Sequence, residues 1–387
     1  MKRDLFLVSL ALVTWGVGEG MFLYFEPIYL QQLGADPILI GTILGGVGIA
    51  MAVSYLPAGF LSDRFGRRPM LRLAWLLGFG ATWLMALAKS LPVFVIGMTL
   101  YSFTSFVTVP LNSYITQARG NWSVGRTITL ISASFNFGVI LGPLIGGWVG
   151  DQYGLNRTFL IAAIIFVVST IIMFLVSPQP VKKSDGQTET GSWKDLLNRR
   201  YFQYLVVIFF VTFSLYLPQP LSQNFLQNQR GLDLEQIGQL IATRSLGIVV
   251  INLVVGQINA RLGYLIAQAC MAAFTLLLLR GVSMPWYFAG YFLLGSYQTA
   301  RALAIAQGRS LIQAAYMGVG YAFLETAMTA AIIIASPLAG VLYQTNPTYI
   351  YSFSLILILI AILVTKLFSP LRTKDFVKGG YKNGTNS

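Results

Sequence analysis

The chain reads as an all-α membrane protein, with twelve transmembrane helices in two six-helix pseudo-symmetric bundles. Three observations carry that expectation. Of the 387 residues, 56% are hydrophobic and only 10% are charged, with a mean hydropathy of +0.69. A soluble domain usually carries about 25% charged residues, so this surface suits lipid better than water. The apolar residues also gather into twelve stretches, each near the roughly 20 residues that a bilayer-crossing helix needs. Finally, the segment Gly59-Phe60-Leu61-Ser62-Asp63-Arg64-Phe65-Gly66-Arg67-Arg68 returns 197 positions later as Gly256-Gln257-Ile258-Asn259-Ala260-Arg261-Leu262-Gly263. A second pair shares that offset: Gly34-Ala35-Asp36-Pro37 followed by Ile40-Gly41, and Gly231-Leu232-Asp233-Leu234 followed by Ile237-Gly238. Two different motifs at one offset indicate a duplicated bundle.

The expected spans run over 5–33, 38–60, 69–88, 91–117, 124–150, 157–177, 201–229, 235–259, 262–280, 285–308, 315–343 and 348–369. The first follows Met1-Lys2-Arg3-Asp4 and so imitates a signal peptide. Its apolar pattern continues past Glu19 to Leu33 without an A-x-A cleavage signal, so it is read as a retained span. Asp36 and Asp233 are placed to cap the second and eighth helices, with Pro37 in the first turn. The third and ninth spans are short. Between the sixth and seventh lies the longest polar stretch, with Lys182-Lys183-Ser184-Asp185-Gly186-Gln187-Thr188 and no apolar period. It reads as a flexible linker. The organisation is therefore an N-terminal bundle over 1–177, a cytoplasmic linker over 178–200, a C-terminal bundle over 201–370 and a cytoplasmic tail over 371–387.

Charge fixes the orientation. With the N-terminus inside, the inner loops and tails hold 20 Lys and Arg residues, and the outer loops hold 4: Lys89, Arg157, Arg230 and Arg280. That asymmetry follows the positive-inside rule. It accounts for the net charge of +13 without a nucleic-acid partner. Both termini are then cytoplasmic, in what is expected to be a prokaryotic plasma membrane. The sequons at Asn121-Trp122-Ser123 and Asn383-Gly384-Thr385 fall on the inner side and are discounted. There is no His, and Cys270 is the single Cys. Cys/His metal sites and intrachain disulfides are thereby excluded, and Cys270 reads as a small packing residue.

These motifs resemble the major facilitator superfamily. The loop between its second and third helices follows G-x-L-x-D-R-x-G-R-R/K. This chain matches at Gly59, Leu61, Asp63, Arg64, Gly66, Arg67 and Arg68. A second signature, G-x-x-x-G-P-x-x-G-G, is matched in the fifth span by Gly138, Gly142, Pro143, Gly146 and Gly147. It is similar to the antiporter motif of the drug:proton antiporters. The chain departs from many proton antiporters in having no basic residue within its fourth span; Arg119 and Arg126 lie beyond its inner end. The resemblance implies the major facilitator fold. It also implies that Asp63, Arg64 and Arg67 latch the two halves at the cytoplasmic side. In the second copy Ala260 stands where Asp63 stands, so that latch lacks its anion.

Glycine lets the loop turn tightly and lets helix ends approach. The glycines at 138, 142 and 146 share one helix face, where a neighbouring backbone can come close. Pro143 removes a backbone hydrogen bond and loosens the helix. A smooth, bendable helix at the interface of the halves suits a rocking bundle.

Ionisable groups at membrane depth cost at least a few kcal/mol and mark functional sites. The spans hold Glu19, Glu26, Arg244, Arg301 and Glu325. Glu19 and Glu26 are two helical turns apart on one face, near Trp15 and Phe22, and are expected to line a central cavity in its outer half. If each arginine pairs with one carboxylate, one carboxylate remains to carry a proton. Glu19 or Glu325 fits that role better than Glu26. Uncharged cavity candidates are Asn112, Gln117, Asn136, Gln219, Gln223, Asn224 and Gln298, with Tyr24, Tyr114, Tyr216 and Tyr297.

No nucleophile–base pair, phosphate loop or metal cluster is visible, so neither an enzyme nor an ATP-driven pump is expected, and no cofactor. The leading expectation is a secondary active transporter for a small organic solute, working by alternating access with proton-coupled efflux. Uptake or facilitated exchange of a sugar or organic anion is the alternative, with Arg244 and Arg301 as anion ligands. A receptor or scaffold without transport is the alternative of another class. The expected partners are the solute, protons and the bilayer, with a monomer as the working unit.

Overall fold

The computed structural model describes residues 3–120, 122–179, 198–312 and 317–368, without the side chains of 56–65, 109, 124, 125, 317 and 318. The linker over 178–200 and the tail over 371–387 therefore fall mostly outside the described residues. Helix occupies every expected span. In the first half these are α1 (Arg3–Phe22) with α2 (Glu26–Gln32), α3 (Pro37–Phe65), α4 (Arg67–Leu87), α5 (Leu91–Phe103) with α6 (Thr108–Ala118), α7 (Val124–Tyr153) and α8 (Leu155–Phe174). In the second they are α9 (Arg199–Tyr216) with α10 (Ser222–Arg230), α11 (Leu234–Val255), α12 (Ala260–Arg280), α13 (Met284–Leu294) with α14 (Ser296–Gly308), α15 (Met317–Thr345) and α16 (Tyr349–Phe368).

Among the described residues, ten stretches are long and apolar enough to cross a membrane. The two expected spans outside that set, 201–229 and 285–308, are each divided. The first breaks between Leu217 and Leu221, a stretch holding Pro218 and Pro220. The second breaks at Gly295. Span one is interrupted too, by a 3-10 turn over Leu23–Phe25. Pro27 lacks the N–H that would bond back to Leu23, which loosens the helix there. Span four carries a 3-10 turn over Thr104–Val107, just ahead of Pro110.

Both halves follow one packing plan. α1 packs on α7 and α8, α4 on α8 and α5, and α3 on α5. Correspondingly, α9 packs on α15 and α16, α12 on α16, α13 and α14, and α11 on α13 and α14. The duplication read from the 197-residue offset is thus present in the packing. Both expected caps form. The Leu39 N–H donates to Asp36 Oδ1 at 2.7 Å. Asp233 and Gln236 make a reciprocal capping box.

The start of α1 and the end of α8 meet, the Ser177 N–H donating to Asp4 Oδ1 at 3.2 Å; the face that holds them is called the linker face, and the opposite face is called distal. The halves meet along two seams, α3 with α15 and α7 with α11. At the first, a Cβ on Gly41 would stand 3.2 Å from Gly340 Cα. At the second, a Cβ on Gly238 would stand 3.2 Å from Gly147 Cα. Gly238 is Gly41 advanced by 197 residues, and Gly340 is Gly147 advanced by 193. The seams are repeat-equivalent, and both lie toward the distal ends of their helices.

This corrects the expectation for the fifth-span glycines. Gly138, Gly142 and Gly146 do not face the other half. They pack on α1, against Gly16, Gly20 and Met21 respectively, where small residues let two backbones touch. Gly147 and the Pro143 carbonyl look across to α11, as does Gly150 beyond the motif, which faces the Leu234 side chain.

The basic loop also differs from expectation. α3 continues to Phe65 and α4 begins at Arg67, so the turn is Gly66 alone. Its φ of 90° is one that only glycine adopts without strain. In the second copy the helix instead starts at Ala260, capped by the Asn259 side chain, and Gly263 lies inside α12.

Candidate functional site

A cavity of about 580 Å³ lies in the N-terminal half. Trp15 and Glu19 of α1 contribute its acidic, aromatic end. Met51 and Tyr55 of α3 and Trp75 of α4 form one wall; Tyr101, Asn112, Phe135 and Asn136 form the other. Every lining residue comes from the first five spans, and Glu19 is the one residue among them with a formal charge. A second hollow of about 440 Å³ shares Asn112 and is lined further by Arg67, Thr116, Gln117 and Arg119. It carries the opening on to the linker face. On the distal side the two seams close the bundle.

The acid is held in a defined way. Trp15 and Glu19 are four residues apart and so share a helix face. The Trp15 indole Nε1 donates to Glu19 Oε2 at 2.9 Å. The Tyr101 hydroxyl donates to the same oxygen at 2.7 Å. Oε1 takes no protein donor among the described residues. Two charge-assisted hydrogen bonds fix the carboxylate and leave one oxygen for another partner. The rings around it are fixed in turn. Trp15 stacks on Tyr101 with centroids 6.0 Å apart and meets Trp75 edge-on at 4.8 Å. The Trp75 indole donates to Ser169 Oγ at 2.9 Å, and that hydroxyl donates to the Ala11 carbonyl at 2.7 Å. An apolar aromatic wall with few placed polar groups is the usual make-up of a small-molecule site.

The expected charged residues separate into distinct places. Glu26 does not line the cavity; it begins α2, is 5% exposed, and has no hydrogen-bond donor or cation beside it among the described residues. Phe22 does not line it either. Its ring is fully buried among Tyr101, Phe159 and Phe166. Of the two anticipated arginine–carboxylate pairs, one forms: Arg301 Nη2 to Glu325 Oε2 at 2.8 Å, joining α14 to α15. Arg244 meets no carboxylate among the described residues. Its guanidinium lies 5.3 Å from the Tyr24 ring centroid, a cation–π contact from span eight to the 3-10 turn of span one. Two carboxylates, Glu19 and Glu26, thus remain without a cation in the N-terminal half.

Asn112 and Asn136 line the cavity as expected, and Gln117 lies at its linker-side mouth. Tyr216 and Gln223 do not reach it. Tyr216 tilts against Tyr297 at 5.9 Å, and Gln223 is buried at the start of α10, accepting from Ser222 Oγ at 3.2 Å. Tyr114 is spent on the Ser177 carbonyl at 2.8 Å. For the loop motif, the surroundings of Gly59 and the side chains of Asp63 and Arg64 lie outside the described residues. Arg67 bonds to Gln117 within its own half. Tyr101 and Trp75 are the site residues that sequence reasoning missed. Each stands among other aromatics of an apolar helix, Trp75 with Phe79 and Trp83 in α4 and Tyr101 with Phe94 and Phe103 in α5, and no spacing distinguishes it from packing.

The family model of the Major Facilitator Superfamily matches residues 8–306. Among curated proteins, the multidrug resistance protein MdtG of Proteus mirabilis is 27% identical over 233 residues, covering 54% of this chain and 54% of that protein. An uncharacterised MFS-type transporter of Methanocaldococcus jannaschii is 26% identical over 177 residues, covering 45% of this chain and 46% of that protein. The chain spans about half the length of the curated relatives it matches. Among solved structures, a variant of the nucleoside transporter NupG superposes with a TM-score of 0.81 at 12% identity, covering 95% of this chain and 100% of that one. A bacterial homolog of the human lysosomal transporter Spinster, inward-facing and occupied, gives 0.72 at 13%, covering 94% and 96%. Such identities speak for the fold alone. With the family model matched over residues 8–306 and the helices repeated in two halves, the chain belongs to the Major Facilitator Superfamily, whose members are transporters and not enzymes.

Proposed function

We propose that this chain is a secondary active transporter that exports a small amphipathic organic solute in exchange for protons, by alternating access. The observation that carries the reading is the cavity itself. Its lining is aromatic and holds Glu19 and no cation, and it leads to the linker face through a mouth that carries Arg67 and Arg119, while the distal seams are shut. An anionic, apolar-walled pocket favours lipophilic cations over anions. By sequence, 20 of the 24 loop and tail cations fall on the linker side, so that face is read as cytoplasmic, with the solute loaded from inside. The MdtG relatives support export.

Glu19 and Glu26 carry the proton coupling in this reading. Ionised, Glu26 has nothing among the described residues to offset its charge, and an uncompensated charge at that depth is costly. Glu19 is already tethered through Oε2 and offers Oε1 to either a proton or a cationic solute. Glu325, with Arg301 beside it, serves the C-terminal half as an ion pair. Uptake of an organic anion ranks second, because it draws on Arg244 and Arg301 and neither lines the larger cavity.

The test is flux into proteoliposomes under an imposed pH gradient, with a lipophilic cation, an organic anion and a nucleoside as probes. Proton-driven movement of the cation, lost in Glu19→Gln, is expected. Driven flux of the anion, indifferent to Glu19→Gln, overturns the proposal.

A further inference from the structure

The pseudo-twofold that relates the two halves also relates their inner faces. Spans one and two map onto seven and eight with the 197-residue offset. Spans four and five map onto ten and eleven with an offset of 193, by which Ser90, Pro92, Gly97 and Gly147 become Ser283, Pro285, Gly290 and Gly340. Carried across in this way, the cavity lining falls on a second set of residues. Glu19 becomes Tyr216, Val47 becomes Arg244, Thr104 becomes Tyr297, Thr108 becomes Arg301 and Ser132 becomes Glu325. The two sets stand opposite each other. Tyr55 of the cavity wall lies within electrostatic reach of Arg301 and Glu325. Arg244 rests on Tyr24, the chain neighbour of the wall residue Leu23. One side of the central space thus carries a carboxylate where the other has a phenol. The other side carries guanidiniums where the first has a valine and a threonine.

The charges on the second side do not cancel. Arg301 is taken by Glu325. Arg244 is not: no carboxylate reaches it among the described residues, and its Nε is shut off from solvent without a hydrogen-bond partner. A guanidinium offers five donors in a fixed fork, and the Tyr24 ring offsets its charge only in part. Tyr297 is 3% exposed and its hydroxyl has no hydrogen-bond partner. Both arginines act on that hydroxyl electrostatically. A buried polar group without a partner calls for an explanation. We infer that Arg244 and the Tyr297 hydroxyl form an oxyanion subsite, and that the transported solute is a zwitterion whose ammonium meets Glu19 and whose carboxylate meets Arg244. The inference deepens the export reading above and rests on it for the cationic end. Tyr24 follows Glu19 by five residues, about 7.5 Å along a helix, and Arg244 lies 5.3 Å from that ring. The two charges of the solute therefore stand roughly 10 Å apart. A simple cation leaves Arg244 bare and a simple anion leaves Glu19 bare, whereas a zwitterion offsets both. Being neutral overall, it also passes the Arg67 and Arg119 mouth without the repulsion that a cation meets there.

Equilibrium binding of radiolabelled ω-aminooctanoate to the purified full-length chain tests the subsite without requiring flux. Its amide, ω-aminooctanamide, keeps the cation alone, and its N-acetyl derivative keeps the anion alone. The zwitterion is expected to bind about 10- to 100-fold more tightly than either. Arg244→Gln is expected to lower affinity for the zwitterion by about the same factor and to leave the amide unaffected, a selectivity that a merely structural arginine would not produce. Arg244→Lys keeps the charge without the fork and should fall between. Glu19→Gln is expected to weaken the zwitterion and the amide alike and to spare the N-acetyl derivative. Should Arg244→Gln fail to fold, Tyr297→Phe keeps the ring and removes only the hydroxyl; it is expected to lower zwitterion affinity about 3- to 10-fold with the amide unaffected. Equal wild-type affinity for zwitterion and amide, no saturable binding of the zwitterion, or parallel losses of both probes in Arg244→Gln overturn the inference. Flux separates it from the export reading. An Arg244-dependent preference for the zwitterion without proton-driven movement counts against export and leaves the subsite standing. Proton-driven cation flux without that preference does the reverse.

Discussion

Two glycines of one motif, five residues apart, are expected to respond in opposite ways to the same methyl group. A Cβ on Gly147 would stand 2.5 Å from the Leu234 carbonyl oxygen and 3.1 Å from Gly238 Cα, on the other half of the molecule. Ordinary van der Waals contact begins near 3.4 Å, so α7 and α11 must part by roughly 1 Å to admit it. Overpacking of that kind costs about 1–3 kcal/mol. The cost falls on the distal-closed state, because the seam exists only there. Gly147→Ala should therefore raise the distal-open fraction by about 5- to 150-fold. A Cβ on Gly142 meets equally close neighbours, with Gly20 Cα and the Val17 carbonyl both at 2.6 Å. Those belong to α1 of the same half and move with it. Gly142→Ala should lower thermal stability by a similar energy and leave the open-to-closed ratio alone. Distal accessibility of engineered cysteines to an impermeant thiol reagent, beside a melting curve for each variant, separates the two effects. Equal accessibility shifts in both variants, or a shift in Gly142→Ala alone, would refute the assignment of Gly147 to the seam and Gly142 to the interior of a half.

Three further outcomes are expected. Tyr101→Phe removes one of two donors to Glu19 Oε2; solute affinity should fall about three- to thirtyfold while Trp15→Phe lowers it comparably, and an unaltered dissociation constant in both would show that Glu19 needs no tether. Gly66→Ala forces a side chain into φ near 90° and should cost about 1–2 kcal/mol of stability, readable as a lower melting temperature in detergent; a wild-type melting temperature would mean that the α3–α4 turn adapts. Arg301→Gln or Glu325→Gln alone strands a charge, whereas the double replacement removes both members of the pair. The double variant should therefore express and melt closer to wild type than either single one, and strictly additive losses would argue that the pair is not coupled.

Much of the architecture was legible because the physics that sets it is local or periodic. Twenty apolar residues in a row must cross a bilayer whatever they touch, and Asp36 and Asp233 cap their helices through bonds three residues away. The 197-residue offset was enough to infer two halves, and the matching packing of α1 on α7 and α9 on α15 bears that out. Breaks were harder to read. Pro27 marked one, but the division of the seventh and tenth spans needed the backbone to be seen.

The candidate site divided along a similar line. Trp15 and Glu19 fell on one helical face by spacing alone, and they do meet. Tyr101 joins them from 82 residues away, and no pattern in an apolar helix announces such a partner. The pairing of charges was equally opaque: composition supplies two arginines and three acids, and folding alone brings Arg301 to Glu325 and parks Arg244 on Tyr24. The fifth-span glycines make the same point, since a face of small residues promises a close neighbour without naming it. Composition, hydropathy and repeat offset therefore sufficed for the solvent, the all-helical class and the twofold plan, all of which depend on residues near in sequence or summed over it. Which half a helix face leans on, which acids lack a cation and where the cavity ends depend on contacts between distant residues, and these exist only once the helices have packed.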